Sequence, residues 1–358
     1  MVIKSALKFG FIALAALSLA ACSSGTATPD TSASPSLSPS ASATPISYDI
    51  APLTGVKYVA GTNKDLALPS VACKVDNLDV ARPQINLGQT DIVFDEMVEG
   101  GLTRFVAVWH SHKPTAVGPV RSIRPMDPDI VSPFGGIVCY SGGQLKFVKM
   151  MRATNVFNAD ETEEQGKGTF KRVSNREAPH NVVVNVKRLA QHNSKLAPPA
   201  ELFKHSTSIL DATAATTGSP VTSFKVSYPA ARAEWVSVAS RGVFVRNQDG
   251  RALLDQASGR QISAVNVVVL QVRIDRTYGY VPKTTMVSSG SAWVFTKGKM
   301  VRANWTKASQ TAPIVLKVNH QDVKLAPGNT WVELMPRAPE GSLKIVAPKP
   351  APSASQTN

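Results

Sequence analysis

The chain has 358 residues, 43% of them hydrophobic, a formal charge of +14 and three cysteines. That apolar share excludes a disordered or fibrous chain and is enough for the cores of two ordinary domains. The basic residues are scattered, without blocks or interleaved aromatics. This argues against nucleic acid and leaves an anionic lipid or wall polymer, or solubility alone, as the use of the charge.

In chain order, Lys4 and Lys8 precede an uncharged apolar run at 9–20. It is too short for a stable membrane-spanning helix, which needs about 20 residues. The run ends in Leu19-Ala20-Ala21-Cys22, the pattern of a lipobox. Residues 1–21 therefore read as a lipoprotein signal peptide, with lipidation at Cys22. Two acyl chains hold a protein to a membrane where one gives only reversible binding. The expected location is the outer face of the bacterial cytoplasmic membrane. The alternative is an ordinary signal that happens to end before a cysteine. Residues 22–50 read as the lipidated cysteine and a disordered linker, since 22 of the 25 residues at 23–47 are Ser, Thr, Pro, Ala or Gly. Such a stretch cannot bury enough apolar area to offset chain entropy.

Residues 51–212 alternate strands and helices, as expected of an N-terminal α/β domain on a mixed sheet. Residues 71–75 read as a strand leading into Asp76-Asn77. Residues 91–98 and 104–110 read as paired strands around Glu99-Gly100-Gly101-Leu102-Thr103. A turn-rich stretch at 118–125 precedes a short helix at 126–131, then a strand at 137–140 broken by Ser141-Gly142-Gly143. The segment 144–152 has helical spacing of Leu145, Val148 and Met151, and 182–184 with 187–192 repeats strand then helix. Cys73 and Cys139 both fall in short apolar runs. In an oxidising exterior they are a disulfide candidate worth about 4 kcal/mol in the chain-entropy model. Two buried free thiols are the other reading.

Residues 211–220 read as a small-residue linker. Residues 213–338 then carry strands only, at 224–228, 235–239, 242–246, 265–274, 292–296, 300–305 and 330–334 among others, punctuated by turns such as Asn247-Gln248-Asp249-Gly250. That is a mostly antiparallel, β-rich C-terminal domain, so the overall class is α+β. Residues 339–358 read as a disordered tail.

Several motifs in order carry a resemblance. They are Ala81-Arg82-Pro83-Gln84, Asp91-Ile92-Val93-Phe94, Val98-Glu99-Gly100-Gly101-Leu102-Thr103-Arg104-Phe105, Gly118-Pro119-Val120-Arg121-Ser122-Ile123-Arg124, Ser141-Gly142-Gly143 and Pro179-His180-Asn181. Asn247-Gln248-Asp249-Gly250-Arg251 and Gly328-Asn329-Thr330-Trp331 follow in the β region. Over about residues 50–337 the chain resembles the YerB-like lipoproteins, a family defined by a domain of unknown function and its companion C-terminal domain. The resemblance implies a cell-surface lipoprotein with no assigned reaction. Where family members carry a histidine before the glycine pair, this chain has Tyr140-Ser141.

The pointed chemical feature is a set of polar residues in turns after apolar strands, where sheets present binding groups. Arginine dominates it, and the planar guanidinium pairs bidentately with carboxylate or phosphate. Arg82, Arg104, Arg121, Ser122, Arg124, Arg176, His180 and Asn181 are the candidate ligand-binding residues for an anionic envelope polymer. In the competing reading Asp76 and Glu99 neutralise the arginines in an internal network. A hydrolase acting on cell-wall or surface glycan, with Asp76, Glu99 and His180 as its acid–base residues, is the alternative function. Asp95 and Glu96 are further carboxylates, and Cys139 with His180 a thinner nucleophile–base pair. The common nucleophile-elbow, zinc-helix and phosphate-loop motifs are missing. His110 and His112 read as exposed strand-end residues rather than as a metal site, and Trp293, Trp305 and Trp331 as core rather than a sugar platform. No metal, no cofactor and no nucleic acid is expected.

Overall fold

In the computed structural model, residues 45–349 are described. The expected signal peptide, the lipidated Cys22, the linker to residue 44 and the tail from residue 350 lie outside the described residues. The chain opens on a small hairpin, β1 (Tyr48–Ile50) with β2 (Lys57–Val59). Residues 48–50, expected in the linker, are thus a paired strand, because Tyr58 and Val59 lie within reach of Asp49 and Tyr48.

Next come β3 (Val71–Asp76), β4 (Ile92–Met97) and β5 (Thr103–Trp109), then α1 (Asp127–Val131), β6 (Ile137–Tyr140), α2 (Leu145–Arg152) and β7 (Phe157–Asp160). A second small ladder, β8 (Phe170–Arg172) with β9 (Val182–Val184), precedes α3 (Val186–His192). Strands β3, β4 and β5 are rich in valine, isoleucine and aromatics, the residues that suit a pleated buried surface. The expected hairpin between β4 and β5 forms, with Met97 opposite Thr103. Its turn has Gly101 at φ +71°, where a Cβ would meet Pro229 at 2.5 Å, so only glycine fits there.

The expected linker at 211–220 is ordered instead. It holds α4 (Thr213–Thr217) and β10 (Ser219–Pro220), because Ala214 buries itself and Ser219 pairs with Met300. Beyond it run β11 (Ser223–Ser227), β12 (Arg232–Val238), β13 (Val243–Gln248), β14 (Arg251–Ala252), β15 (Ser263–Ala264), β16 (Asn266–Asp275), β17 (Lys283–Thr285), β18 (Ser289–Thr296), β19 (Lys299–Thr306), β20 (Val315–Val318), β21 (Gln321–Asp322), β22 (Thr330–Pro336) and β23 (Ser342–Val346). Residues 342–346 also overturn the expected tail. They pair with Ser223–Ser227 and complete the edge of a sheet ordered β14-β13-β12-β11-β23.

The larger sheet runs β21-β20-β19-β18-β16-β22-β4-β5-β3-β6-β7. Strand β22 lies parallel to β16 on one side and to β4 on the other. One sheet therefore carries strands from both sequence segments, and the described residues from Ile46 cluster as one compact unit. The architecture is mostly sheet with a few short helices.

Alternation along the strands gives that sheet two cores. Ala72, Phe94, Val106 and Val108 face Met126, Ile130, Phe147 and Met151 from the helical side. Phe147 fills the place expected of Leu145, which is 66% exposed. On the other face Val75, Phe105 and Trp331 meet α3 and the smaller sheet's Phe224, Trp235 and Phe244. Trp305 and Trp331 are buried core residues, as expected, and Trp293 is partly buried. The Cys73–Cys139 disulfide forms between β3 and β6, where the two residues are direct partners in a parallel register.

Arg246 of β13 pins the sheets together. It is fully buried and salt-bridged to Asp95 and Glu333, which lie opposite each other on β4 and β22. Its guanidinium also sits 4.6 Å from the Trp331 ring centroid. A buried arginine left without these partners would cost several kcal/mol.

Candidate functional site

The site grows from the C-terminal end of β3. Strand register sets Arg104 of β5 beside Asp76 of β3 on one side and Glu96 of β4 on the other. All three share the face that also carries Lys74. The turn-rich stretch after Gly118 is laid against β3: Asp76 N–H donates to Pro119 O at 2.9 Å and Arg121 N–H to Lys74 O at 2.9 Å. Its other edge is held by Ser141 N–H on Arg121 O and Ile123 N–H on Gly142 O. This places Arg121 and Arg124 next to Arg104.

Asp76 is the hub. Its Oδ1 accepts from Leu78 N–H at 3.1 Å, while Oδ2 takes His180 Nδ1 at 2.7 Å and Arg121 Nε at 3.1 Å. Arg124 pairs with Glu99 at 2.9 Å. Burial alone would raise the Glu99 carboxyl, but Arg124 beside it prevails and holds it below its ordinary value. Ser122 donates its hydroxyl to Ser141 O and offers its carbonyl to Arg104 and Arg124.

Arg104 differs from the other two arginines. It is only 5% exposed, and its single hydrogen bond goes to Ser122 O at 3.3 Å. Among the described residues no carboxylate lies within salt-bridge distance of it. Burial and then the neighbouring Arg124 lower its guanidinium pKa to about 10. Beneath it, Lys74 is fully buried between Glu96 and Asp127. Desolvation, reinforced by Asp127 and opposed by Lys74, raises the Glu96 carboxyl to about 8. Above this buried group, two guanidiniums, Arg104 and Arg124, and two carboxylates, Asp76 and Glu99, border a cavity of about 290 Å³, while Arg121 is paired with Asp76 and is not among its lining residues. Asp76, Val98, Glu99, Arg104, Arg124 and Tyr280 line it.

The other candidates lie elsewhere. Arg82 is spent on Asn77 and Asp249, and Arg176 on the carbonyls of Ala81 and Pro83 and the side chain of Gln256. Both line a neighbouring cavity of about 770 Å³ that His180 also borders. Asn181 accepts from Arg172 rather than facing the cluster. Cys139 is bonded to Cys73, so it is no nucleophile. Asp95 is locked on Arg246. His110 is fully buried, not exposed, because its strand end is covered by the 64–68 segment, and only His112 reaches solvent. Among the described residues no cluster of His, Cys, Asp and Glu fits a metal ion.

Sequence reasoning missed Lys74 and Tyr280. A lysine inside an apolar strand carries no mark of its partners, and Tyr280 comes from a polar turn more than 150 residues from Glu99.

The comparisons agree with this architecture. The description "Protein of unknown function (DUF3048) N-terminal domain" matches residues 53–198, and "Protein of unknown function (DUF3048) C-terminal domain" matches residues 224–332. A curated protein of Bacillus subtilis (strain 168), named "Putative lipoprotein YerB", is 26% identical over 297 residues, covering 80% of this chain and 86% of that protein. The chain belongs to the YerB-like family. The crystal structure of the YerB protein from Bacillus subtilis shares the fold, with a TM-score of 0.71 at 23% identity, over 82% of this chain and 99% of that one. The YerB-like relative is thus named a lipoprotein, and the YerB-like domains carry no assigned molecular function.

Proposed function

We propose that this protein is a lipoprotein tethered through Cys22 to the outer face of the cytoplasmic membrane, and that it binds an anionic envelope ligand at Arg104, Arg121 and Arg124. One observation carries the reading. Arg104 is nearly buried, has no carboxylate partner among the described residues, and opens onto the 290 Å³ cavity with Arg124. Burying a charge without a partner is costly, and sites that do so are often kept for function. A phosphate or carboxylate entering the cavity would give Arg104 an anionic partner and satisfy its guanidinium donors.

The test is calorimetry of residues 23–358, the mature chain without its lipidated cysteine, with inorganic phosphate, a poly(glycerol phosphate) oligomer and peptidoglycan fragments. Binding of one anionic class, lost in an Arg104→Gln variant and in an Arg121→Ala/Arg124→Ala variant, supports the reading. Binding that survives both changes removes it.

A further inference from the structure

Asp76 Oδ2 holds two groups at once, His180 Nδ1 and Arg121 Nε. A carboxylate accepts, so Nδ1 donates, and the imidazole is fixed with Nε2 as its basic nitrogen. Among the described residues Nε2 has no hydrogen-bond partner, and His180 borders the cavity of about 770 Å³. Arg121 Nε lies 3.1 Å from Asp76 Oδ2 as an ion pair without hydrogen-bond alignment, and among the described residues none of its side-chain nitrogens has a hydrogen-bond partner. An oriented imidazole beside a guanidinium on one carboxylate oxygen is what proton transfer at an anionic centre requires.

The same geometry argues against a glycan substrate. Glycoside cleavage needs a carboxyl group able to hand a proton to the leaving oxygen. Asp76 is taken up by Leu78, His180 and Arg121, and Glu99 is held as a carboxylate by Arg124. The groups left open are a base and cations, which suit a phosphoryl centre whose charge sits on its oxygens.

We propose that His180 is the general base of a phosphoester-hydrolysing centre, with Asp76 positioning it and Arg121 holding the phosphoryl oxygens. The proposal rests on the anion-binding reading above. Nε2 takes a proton from a water molecule as the water oxygen bonds to phosphorus. The P–O bond to the alcohol breaks with its electron pair on the departing oxygen, and the imidazolium returns the proton there. One ester and one water become one alcohol and one phosphate, and the protein ends unchanged.

The experiment uses the mature chain with p-nitrophenyl phosphate and bis(p-nitrophenyl) phosphate, alongside calorimetry with inorganic phosphate. The expected result is turnover of at least one ester, reduced about 100-fold or more in His180→Gln, the scale of general acid–base catalysis. Phosphate binding should stay within about threefold in that variant. Asp76→Asn should lower kcat with KM nearly unchanged, as expected of a positioning residue. If that variant does not fold, His180→Gln, altered at a half-buried loop position, decides alone. Phosphate binding without turnover overturns the proposal and leaves the anion reading standing. Neither binding nor turnover removes both. Turnover that survives His180→Gln also overturns it.

Discussion

Asp95 and Glu96, adjacent on β4, bury their carboxyls on opposite faces of one sheet, and each shares a single cation with a second acid. Asp95 and Glu333 share Arg246, while Glu96 and Asp127 share Lys74. Each buried group has one more acid than base, which favours uptake of a proton. Burial, opposed in part by Arg246, raises Asp95 from 3.8 to about 7, and burial reinforced by Asp127 raises Glu96 from 4.5 to about 8.

Both carboxyls bind protons more tightly in the folded chain than in the unfolded one. Their contribution to stability is complete below about pH 4 and is lost as pH rises through about 7 and 8. Denaturant unfolding of the wild type should show a fall on the order of a few kcal/mol between pH 5 and pH 8.5 from these two groups. Asp95→Asn and Glu96→Gln mimic the protonated carboxyls, so each variant should flatten its share of that fall. A variant with an unchanged slope would show that its carboxyl is ionised throughout.

His110 contributes the opposite slope. Burial, then the charge of Lys113, lowers its imidazole from 6.5 to about 4, so the unfolded chain binds the proton more readily between those values. Stability from this group is full above about pH 6.5 and is lost as pH falls toward 4. The ring nitrogens lie against the Leu66 and Leu68 backbone without well-formed hydrogen bonds, so a leucine forfeits little there. His110→Leu should therefore lose less stability than the wild type between pH 7 and pH 4.5, as read from midpoints of urea unfolding at the two pH values.

The Cys73–Cys139 bridge closes a loop with a sequence separation of 66. In the chain-entropy model this constrains the unfolded state by about 4 kcal/mol. Reduction under mild denaturant, or a Cys73→Ala/Cys139→Ala variant, should lower the unfolding free energy by that order. The far-ultraviolet spectrum should be unchanged, because both residues are core positions in strands that pair without the bond.

These features differ in how far the sequence announced them. The β4–β5 hairpin was legible because two β-rich runs flank a glycine turn, and α2 because its apolar residues recur at helical spacing. The cysteines were legible as candidates through their apolar contexts. The insertion of β22 between β16 and β4 was not, since the pairing of Trp331 with Val93 joins residues more than 230 positions apart and leaves no local pattern. The strand at 342–346 was missed although Ser342-Leu343-Lys344-Ile345-Val346 alternates, because five residues flanked by prolines are too short a pattern to stand out. For the site, the arginine-bearing turns were visible, but the dispersal of Arg82, Arg176 and Asn181 was not. Which guanidiniums meet depends on loop paths, such as the run of Val120 against Val182, rather than on spacing in the chain.

Strand β23 gives a direct check on that edge. Leu343 and Ile345 are half-buried against the smaller sheet, and the strand pairs along all of β11. Ending the chain at residue 338 should uncover the β11 backbone and lower the thermal midpoint by several degrees, with more aggregation on heating. Ending it at residue 349 should change neither, since β23 is then intact. Equal midpoints for the two truncations would mean that the edge pairing adds nothing.

At Arg104 function and stability pull apart. A guanidinium that is 5% exposed, with one hydrogen bond of 3.3 Å and a like charge from Arg124 nearby, is a poor choice for folding alone. Replacing even a buried ion pair by well-packed apolar residues is often neutral or stabilising by about 1–4 kcal/mol, and a cation without a partner has less attraction to lose. Arg104→Met should therefore leave the unfolding free energy equal or higher while abolishing phosphate binding, with unfolding curves and calorimetry run on the same preparation. Were Arg104 instead a structural partner of Asp76 and Glu99, the same change would strand both carboxylates and cost about 3 kcal/mol or more. The sign of that one stability difference separates a residue kept for a ligand from a residue kept for the fold.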